Sequence, residues 1–180
     1  MQRYIVFLRA INVGGHTVKM EQLRSLFAEL EFANVETFIA SGNVIFEAED
    51  KQPQALEKQI EGHLQQALGY AVATFIRTPA ALAAVAAYQP FPQAELDSAG
   101  ASLYIGFLPD APTDEARRKL LALRSAIDDF HVHQRELYWL ARQRMSGSTI
   151  SGALLEKTIG MPATLRNVTT VRKLAAKYGA

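Results

Sequence analysis

Two polar segments that contain glycine are the parts of this sequence best suited to bind a ligand. One is Arg9-Ala10-Ile11-Asn12-Val13-Gly14-Gly15-His16 and the other is Ser41-Gly42-Asn43. Adjacent glycines let backbone N–H groups approach an anion, a following helix N-terminus favours negative charge, and arginine, serine and asparagine add donors. If the segments lie together, they predict a site for a small anion or phosphoryl group. Its residues would be Arg9, Asn12, Gly14, Gly15, Ser41, Gly42 and Asn43.

A purely structural interpretation of the same two segments stays open. Glycine and asparagine are the usual residues of tight turns, so one segment could simply join a strand to a helix and the other could close a hairpin. The polar side chains would then cap backbone groups and bind nothing. Neither a Walker A loop nor a G-x-G-x-x-G pattern occurs anywhere in the chain, so no nucleotide fingerprint decides between the two.

Three other groupings carry weaker signals for chemistry. His131 and His133 lie two apart on a strand, but no nearby third ligand completes a metal set. The serines at 146, 148 and 151 lack a G-x-S-x-G turn and are more simply helix caps. Adjacent Asp128 and Asp129 would face opposite sides of a strand and could not share a substrate. We therefore predict no metal and no cofactor, and leave catalytic activity open.

The hydrophobic pattern of the first half predicts the order β-α-β-β-α-β. The predicted strands cover residues 3–11, 35–40, 44–48 and 72–77, and the two predicted helices are capped by Thr17 and Asp50. This order is that of the ferredoxin-like split βαβ unit, with strand order 4-1-3-2. The end of the first strand then lies beside the start of the third, so the two polar segments meet at one edge of the sheet.

The element order begins again after a predicted linker over residues 89–100. A strand over 102–108, a helix capped by Thr113 and reaching Ile127, a hairpin and a further helix follow, and a last amphipathic helix replaces a clear fourth strand. We predict an α+β protein of two tandem ferredoxin-like subdomains, residues 1–88 and 101–180, forming one compact unit. The two halves share element order but little residue similarity, which indicates an architectural duplication.

The composition excludes several classes of protein. The 180 residues include no cysteine, which rules out disulfides and a cysteine nucleophile. No apolar run approaches the roughly 20 residues that span a bilayer, and Arg9 follows Arg3 too soon for a signal peptide. We expect a cytoplasmic protein with no membrane partner. The first strand is apolar on both faces, which argues against an open sheet that binds RNA.

The formal net charge of +1 hides an uneven distribution. Residues 135–180 carry eight basic and two acidic residues, whereas residues 1–90 carry seven basic and nine acidic ones. A basic stretch can attract phosphate backbones, so a nucleic-acid-associated protein is the alternative to small-anion binding. Arg166 and Asn167 precede the last helix, where a guanidinium can bind a carboxylate or phosphate, and both join the predicted site. The sequence leaves the oligomeric state open.

Four motifs in order along the chain carry a family resemblance. They are Leu8-Arg9-Ala10-Ile11-Asn12-Val13-Gly14-Gly15, Ser41-Gly42-Asn43-Val44-Ile45-Phe46, Arg135-Glu136-Leu137-Tyr138 and Thr164-Leu165-Arg166-Asn167-Val168-Thr169-Thr170-Val171-Arg172-Lys173-Leu174. Over essentially the whole chain the sequence resembles the bacterial family called domain of unknown function 1697. Ala10 and Val168 depart from its pattern, which more often has glycine and an aromatic residue there. The resemblance implies a small cytoplasmic α+β protein with two related subdomains, and it implies no activity.

Overall fold

The apolar strands of the sequence form two four-stranded antiparallel sheets in the computed structural model, which describes residues 1–12, 15–39, 42–143 and 148–179. The strands are β1 (Gln2–Leu8), β2 (Ala33–Thr37), β3 (Asn43–Ala48), β4 (Thr74–Arg77), β5 (Ser102–Phe107), β6 (Asp128–His133), β7 (Glu136–Ala141) and β8 (Thr164–Asn167). The helices are α1 (Met20–Ala28), α2 (Pro53–Leu68), α3 (Pro79–Ala87), α4 (Gln93–Leu96), α5 (Asp114–Leu121), α6 (Gly152–Ile159) and α7 (Val168–Tyr178). The chain divides into a first unit, Met1–Ala83 with the residues from Leu174 onward, and a second unit, Ala84–Lys173.

Strand β1 is a central strand of the first sheet, whose order is β2-β3-β1-β4. Its Ile5 pairs with Ile45 of β3 on one side and with Arg77 of β4 on the other. Residues 4–8 are all buried, because one alternate set of side chains packs with the apolar residues of α1 and α2 while the other set is buried on the opposite face. The predicted two-sided burial of this strand is confirmed.

The second sheet repeats this topology with the order β6-β7-β5-β8. Strand β5 is central, and Ile105 pairs with Tyr138 of β7 and with Arg166 of β8. One face of the sheet packs Phe130 and Trp139 against the apolar residues of α5 and α6. Two antiparallel sheets with the strand order 4-1-3-2 are consistent with two tandem ferredoxin-like subdomains, so the predicted fold class is confirmed.

Strand β8 corrects the prediction that the second half lacks a fourth strand. Its four residues, Thr164-Leu165-Arg166-Asn167, pair with β5, and only Thr164 among them is fully buried. A four-residue segment with an arginine and an asparagine carries almost no alternating pattern, so its strand character comes from pairing with β5. The basic segment before the last helix is therefore part of a sheet.

Several helix ends also differ from the sequence prediction. Helix α1 follows Lys19 and α2 follows Gln52, so neither Thr17 nor Asp50 is the N-cap. Helix α5 ends at Leu121, six residues before the predicted end, whereas its cap is confirmed because Thr113 accepts a hydrogen bond from the Ala116 N–H. Helix α2 is the longest described helix, with 16 residues. Across the described ranges, no helix is both long and apolar enough to cross a membrane.

A buried carboxylate joins β6 to β7 and to the segment that follows β7. Asp128, 3% exposed, accepts hydrogen bonds at Oδ1 from the Trp139 indole N–H and at Oδ2 from the Ser148 hydroxyl, both at 2.8 Å. The Ser148 oxygen in turn accepts from the Ile150 N–H at 3.0 Å. These bonds satisfy both carboxylate oxygens, which is the condition for burying such a group at low cost.

Asp128→Ala should lower the free energy of unfolding by about 2–3 kcal/mol, because it leaves the buried indole N–H without an acceptor. Ser148→Ala removes the bond to Asp128 and the bond from the Ile150 N–H, and should cost about 1–2 kcal/mol. Urea unfolding followed by the fluorescence of Trp139, the sole tryptophan, measures both values. A smaller loss in Asp128→Ala than in Ser148→Ala would contradict a stabilising role for the indole bond.

Candidate functional site

The two polar segments of the first unit lie side by side at one edge of its sheet. The Leu8 N–H at the end of β1 donates to the Gly42 carbonyl at 2.8 Å. A Cβ placed on Gly42 would lie only 3.1 Å from Ile11 Cγ2 and from Leu8 Cβ. The loop after β1 and the turn between β2 and β3 are therefore in contact, and the contact requires glycine at position 42. We call the described residues 9–12, 15–16, 39 and 42–43 the loop edge.

Two asparagine side chains of the loop edge hold its backbone in place. Asn12 Oδ1 accepts from the Val18 N–H at 2.7 Å, which closes the loop before α1. Asn43 is 3% exposed, and its Nδ2 donates to the carbonyls of Phe38 at 3.0 Å and Ile39 at 3.2 Å. For these two residues the geometry favours the turn-stabilising role that the sequence left open.

The loop edge concentrates left-handed backbone conformations. Gly15 and Gly42 have φ of 85° and 84°, and the non-glycine residues Ala10 and Ile39 have φ of 52° and 46°. A residue with a Cβ pays roughly 1–2 kcal/mol in this region, and a branched isoleucine is especially disfavoured. Such strain persists where the surrounding structure or a function maintains it.

Arg9 is the cation that directly follows β1. Its own N–H donates to the Ala73 carbonyl at 3.0 Å, and its side chain is only partly buried. His16 stacks on Tyr70 with ring centroids 3.8 Å apart, and the Tyr70 hydroxyl donates to the Ile11 carbonyl at 3.3 Å. An arginine beside a backbone held in this way provides charge and hydrogen-bond donors for an anion.

The helix that was expected to favour an anion lies further along the chain. Residues 16–19 separate Gly15 from the start of α1 at Met20, so the first turn of the helix does not directly follow the glycines. Gly14 and Ser41 lie outside the described residues. The contribution of these two residues to the site stays a prediction.

Comparison with protein families decides the relationship that the motifs suggested. A family model described as "Protein of unknown function (DUF1697)" matches residues 1–138. This chain belongs to the DUF1697 family. The motif from Thr164 to Leu174 lies beyond the matched residues.

Among known proteins, this DUF1697 chain has a structural relative but no match among curated sequences. A comparison with curated proteins found no match. Among solved structures it is similar to the conserved bacterial protein SP0830 from Streptococcus pneumoniae, with 22% identity and a TM-score of 0.75. The likeness covers 97% of this chain and 97% of that one. At this identity it shows the fold alone.

Arg166 and Asn167, the last two predicted site residues, lie on β8 in the second unit of the DUF1697 chain. The Arg166 guanidinium donates to Thr164 Oγ1 at 2.7 Å and to the Leu165 carbonyl at 2.9 Å. Burial lowers the pKa of Arg166 to about 10, so the group still carries its charge at neutral pH. Asn167 Oδ1 accepts from the Thr169 N–H at 2.9 Å, which caps α7.

Arg77 is a buried arginine that the sequence analysis did not single out. It is 2% exposed and occupies in β4, opposite Ile5, the position that Arg166 occupies in β8, opposite Ile105. Each guanidinium donates to the carbonyl of the preceding residue, for Arg77 at 2.8 Å. Only the strand pairing shows that Arg77 and Arg166 occupy equivalent positions, and this pairing cannot be read from the linear sequence.

Two cavities lie away from the loop edge. One, of about 750 Å³ in the first unit, is lined by Arg3, Tyr4 and Lys51, where the Tyr4 hydroxyl both donates to the Lys51 carbonyl and accepts from its N–H. The other, of about 320 Å³ in the second unit, is lined by Asn167 and Arg172. Asn167 is the only predicted site residue among the described residues that line these two cavities.

The two histidines of β6 pack against Tyr88. His131 Nε2 lies 2.7 Å from the Tyr88 hydroxyl, and the His133 ring stacks on the Tyr88 ring with centroids 3.9 Å apart. Desolvation lowers the pKa of His131 below 6.5. The neighbouring His133 ring and the cations Arg124 and Arg117 act in the same direction, and Asp129 opposes them. Within the described part of the chain, no three His, Asp or Glu side chains come together as a metal site.

The lowered pKa of His131 predicts a pH-dependent stability. In the unfolded chain His131 has its ordinary pKa of 6.5, whereas in the folded protein its pKa is lower. The unfolded state therefore binds more protons below pH 6.5, and the free energy of unfolding falls as the pH drops from 6.5 toward the folded pKa. His131→Gln keeps a hydrogen-bonding group beside Tyr88 but cannot titrate. Denaturant unfolding between pH 7.5 and pH 5 should show a shallower loss for the variant than for the wild type. Identical pH profiles would contradict the assignment.

Gly42→Ala should destabilise the protein by about 2–3 kcal/mol. The new Cβ is strained in the left-handed backbone conformation, and it also comes too close to Ile11 and Leu8. Gly69, at the end of α2, is the matched control: its φ is 82° and a Cβ there meets nothing within 4 Å. Gly69→Ala should cost only about 1 kcal/mol. Urea unfolding measures both, and a smaller loss at Gly42 than at Gly69 would contradict the close contact of the two loops.

Proposed function

We propose that this protein binds a small anionic ligand, carrying a phosphate or a carboxylate group, at the loop edge. One observation carries the proposal: two loops with left-handed backbones at Ala10, Ile39 and Gly42 are bonded side by side next to the Arg9 cation. The Leu8–Gly42 bond fixes the distance between them at the point where β1 ends. A preorganised backbone beside a cation loses little entropy when it binds an anion.

The strain in these loops supports a binding role over a role in turn formation alone. A turn that only reverses the chain is satisfied by glycine or asparagine at left-handed positions, which removes the strain. Gln134 shows that a single left-handed residue also occurs in a turn with no proposed ligand, whereas at the loop edge two such residues, Ala10 and Ile39, lie on the two bonded loops. Backbone strain of this kind is concentrated at ligand-binding and active sites, where function maintains it.

The predicted site residues divide into two roles within this proposal. Arg9 supplies the positive charge, and the exposed backbone at Gly15 allows an anion to approach closely. Gly42 is buried, and it holds the turn against the loop after β1. Asn12 and Asn43 act as positioning residues, because their side chains hold the loops through bonds to Val18, Phe38 and Ile39. The proposal rests on residues of the first unit alone and needs no contribution from Arg166 or Asn167.

The alternative of a nucleic-acid partner for the basic C-terminal stretch has less support. Arg142 pairs with Glu95 at 2.9 Å and with Asp129 at 3.4 Å, and Lys177 lies 3.6 Å from Glu36. Arg166 is largely buried and donates to its own strand. Several of the charges that form the basic stretch in the sequence are thus balanced by acidic neighbours or withdrawn from the surface.

Thermal-shift and calorimetric titration with inorganic phosphate, nucleoside monophosphates and small carboxylates tests the proposal. At least one of these anions should raise the Tm, and Arg9→Gln should weaken its binding by tenfold or more, because the charge-assisted hydrogen bonds are lost. Arg3→Gln is the matched control, since Arg3 is a partly exposed arginine at the opposite end of β1 and pairs with Glu47. Arg3→Gln should leave anion binding unchanged.

Two results would contradict small-anion binding at the loop edge. One is the absence of any shift across the anion series; the other is equal loss of binding in Arg9→Gln and Arg3→Gln. A single-stranded and a double-stranded oligonucleotide belong in the same titration at rising salt concentration. Binding of the oligonucleotides alone, falling steeply with salt, would favour the nucleic-acid alternative.

A further inference from the structure

Ile39 is a large apolar side chain that the fold leaves half exposed. Its exposure is 49%, and among the described residues only Met1 is a more exposed large apolar side chain. Its neighbour Phe38 is partly buried, because the Tyr178 ring packs edge-on against it at 6.0 Å and Lys177 Nζ lies 5.6 Å from its ring centre. Among the described residues of this turn, Ile39 is the most exposed large apolar side chain.

The backbone conformation of Ile39 makes its identity harder to explain by folding. Its φ of 46° is in the left-handed region, where a β-branched residue is an outlier and asparagine or glycine is relaxed. The bond from Asn43 Nδ2 goes to the Ile39 carbonyl at 3.2 Å, so it does not depend on which side chain stands there. Neither burial nor backbone geometry favours isoleucine at this position.

The position of Ile39 places this apolar surface at the proposed anion site. Ile39 lies in the same turn as Gly42. The Gly42 carbonyl accepts from the Leu8 N–H, and Arg9 directly follows Leu8 in the sequence. The loop edge therefore combines a cation on one of its two loops with an exposed apolar group on the other. A ligand that uses both carries an anionic group joined to an apolar body.

We infer that Ile39 gives the loop edge a preference for anions that bear an apolar group, such as a ring or an alkyl chain attached to the phosphate or carboxylate. The inference rests on the proposed function, because it names the ligand class of that same site. Ile39 acts as a specificity-determining residue: it adds apolar contact to a site whose charge comes from Arg9. Contact with the ligand would then explain why a strained isoleucine stands at position 39, which the contacts within the turn do not explain.

Calorimetric titration with inorganic phosphate and with phenyl phosphate tests the inference. The wild type should bind phenyl phosphate about tenfold more tightly, the gain expected from removing part of a side chain and a ring face from water. Ile39→Asn suits the left-handed backbone, so its Tm should equal or exceed that of the wild type, and its two affinities should agree within about twofold. Ile39→Leu keeps an apolar side chain and should keep the preference.

Gln134→Asn provides the matched control for relief of strain. Gln134 is exposed, lies in the turn between β6 and β7 of the second unit, and has φ of 54°, so asparagine relaxes the backbone there and leaves every residue of the loop edge unchanged. This variant should keep the preference for phenyl phosphate.

Equal affinities in the wild type, a preference that survives Ile39→Asn, or a preference lost in Gln134→Asn would overturn the role of Ile39 while leaving anion binding in place. If neither phosphate nor phenyl phosphate binds the wild type, while another anion of the series does, the apolar preference fails and the proposed function stands. If no anion binds, both fail.

Discussion

Strand β1 is hydrogen-bonded to β3 on one side and to β4 on the other, and residues 4–8 are buried on both faces of the sheet. A strand held on all sides cannot shift its register, because a shift by one residue would exchange the side chains of its two faces. The position of Leu8 is therefore fixed, and with it the bond to Gly42 that joins the two loops. The loop edge owes its geometry to the packing of β1.

The same arrangement recurs in the second unit, where β5 is central and the Leu108 N–H donates to the Arg135 carbonyl as the Leu8 N–H does to Gly42. The chemistry of the two turns differs. The first has Gly42 and the half-exposed Ile39, whereas the second has an exposed Gln134. One scaffold thus presents two turns in equivalent places, and only the first combines a close glycine contact with an exposed apolar side chain. We place binding in the first unit because both of its loops carry a left-handed residue, Ala10 and Ile39, beside Arg9; the exposed side chain of Ile39 adds the apolar preference.

The sequence was sufficient for the parts of the structure that depend on pattern. The alternating apolar residues of β1 predicted its burial, and the element order predicted the first sheet, three strands of the second sheet and the meeting of the two polar segments. The sequence was insufficient where strand pairing or a specific hydrogen bond determines the local structure. Strand β8 depends on pairing with β5, and residue type shows that Asn12 and Asn43 can donate or accept but not which backbone groups they bind. The left-handed conformations of Ala10 and Ile39 were not predicted, because alanine and isoleucine rarely adopt a positive φ.

Binding and folding draw on the same residues at the loop edge, since the asparagines that hold the loops also position the proposed site. Mapping of amide chemical shifts separates the two, because it locates a bound anion without any substitution. On titration with the anion that raises the Tm most, we expect the largest shifts on residues 8–12 and 42–43. Shifts concentrated around Arg3 and Lys51, or around Asn167 and Arg172, would place the anion in one of the two cavities and contradict binding at the loop edge.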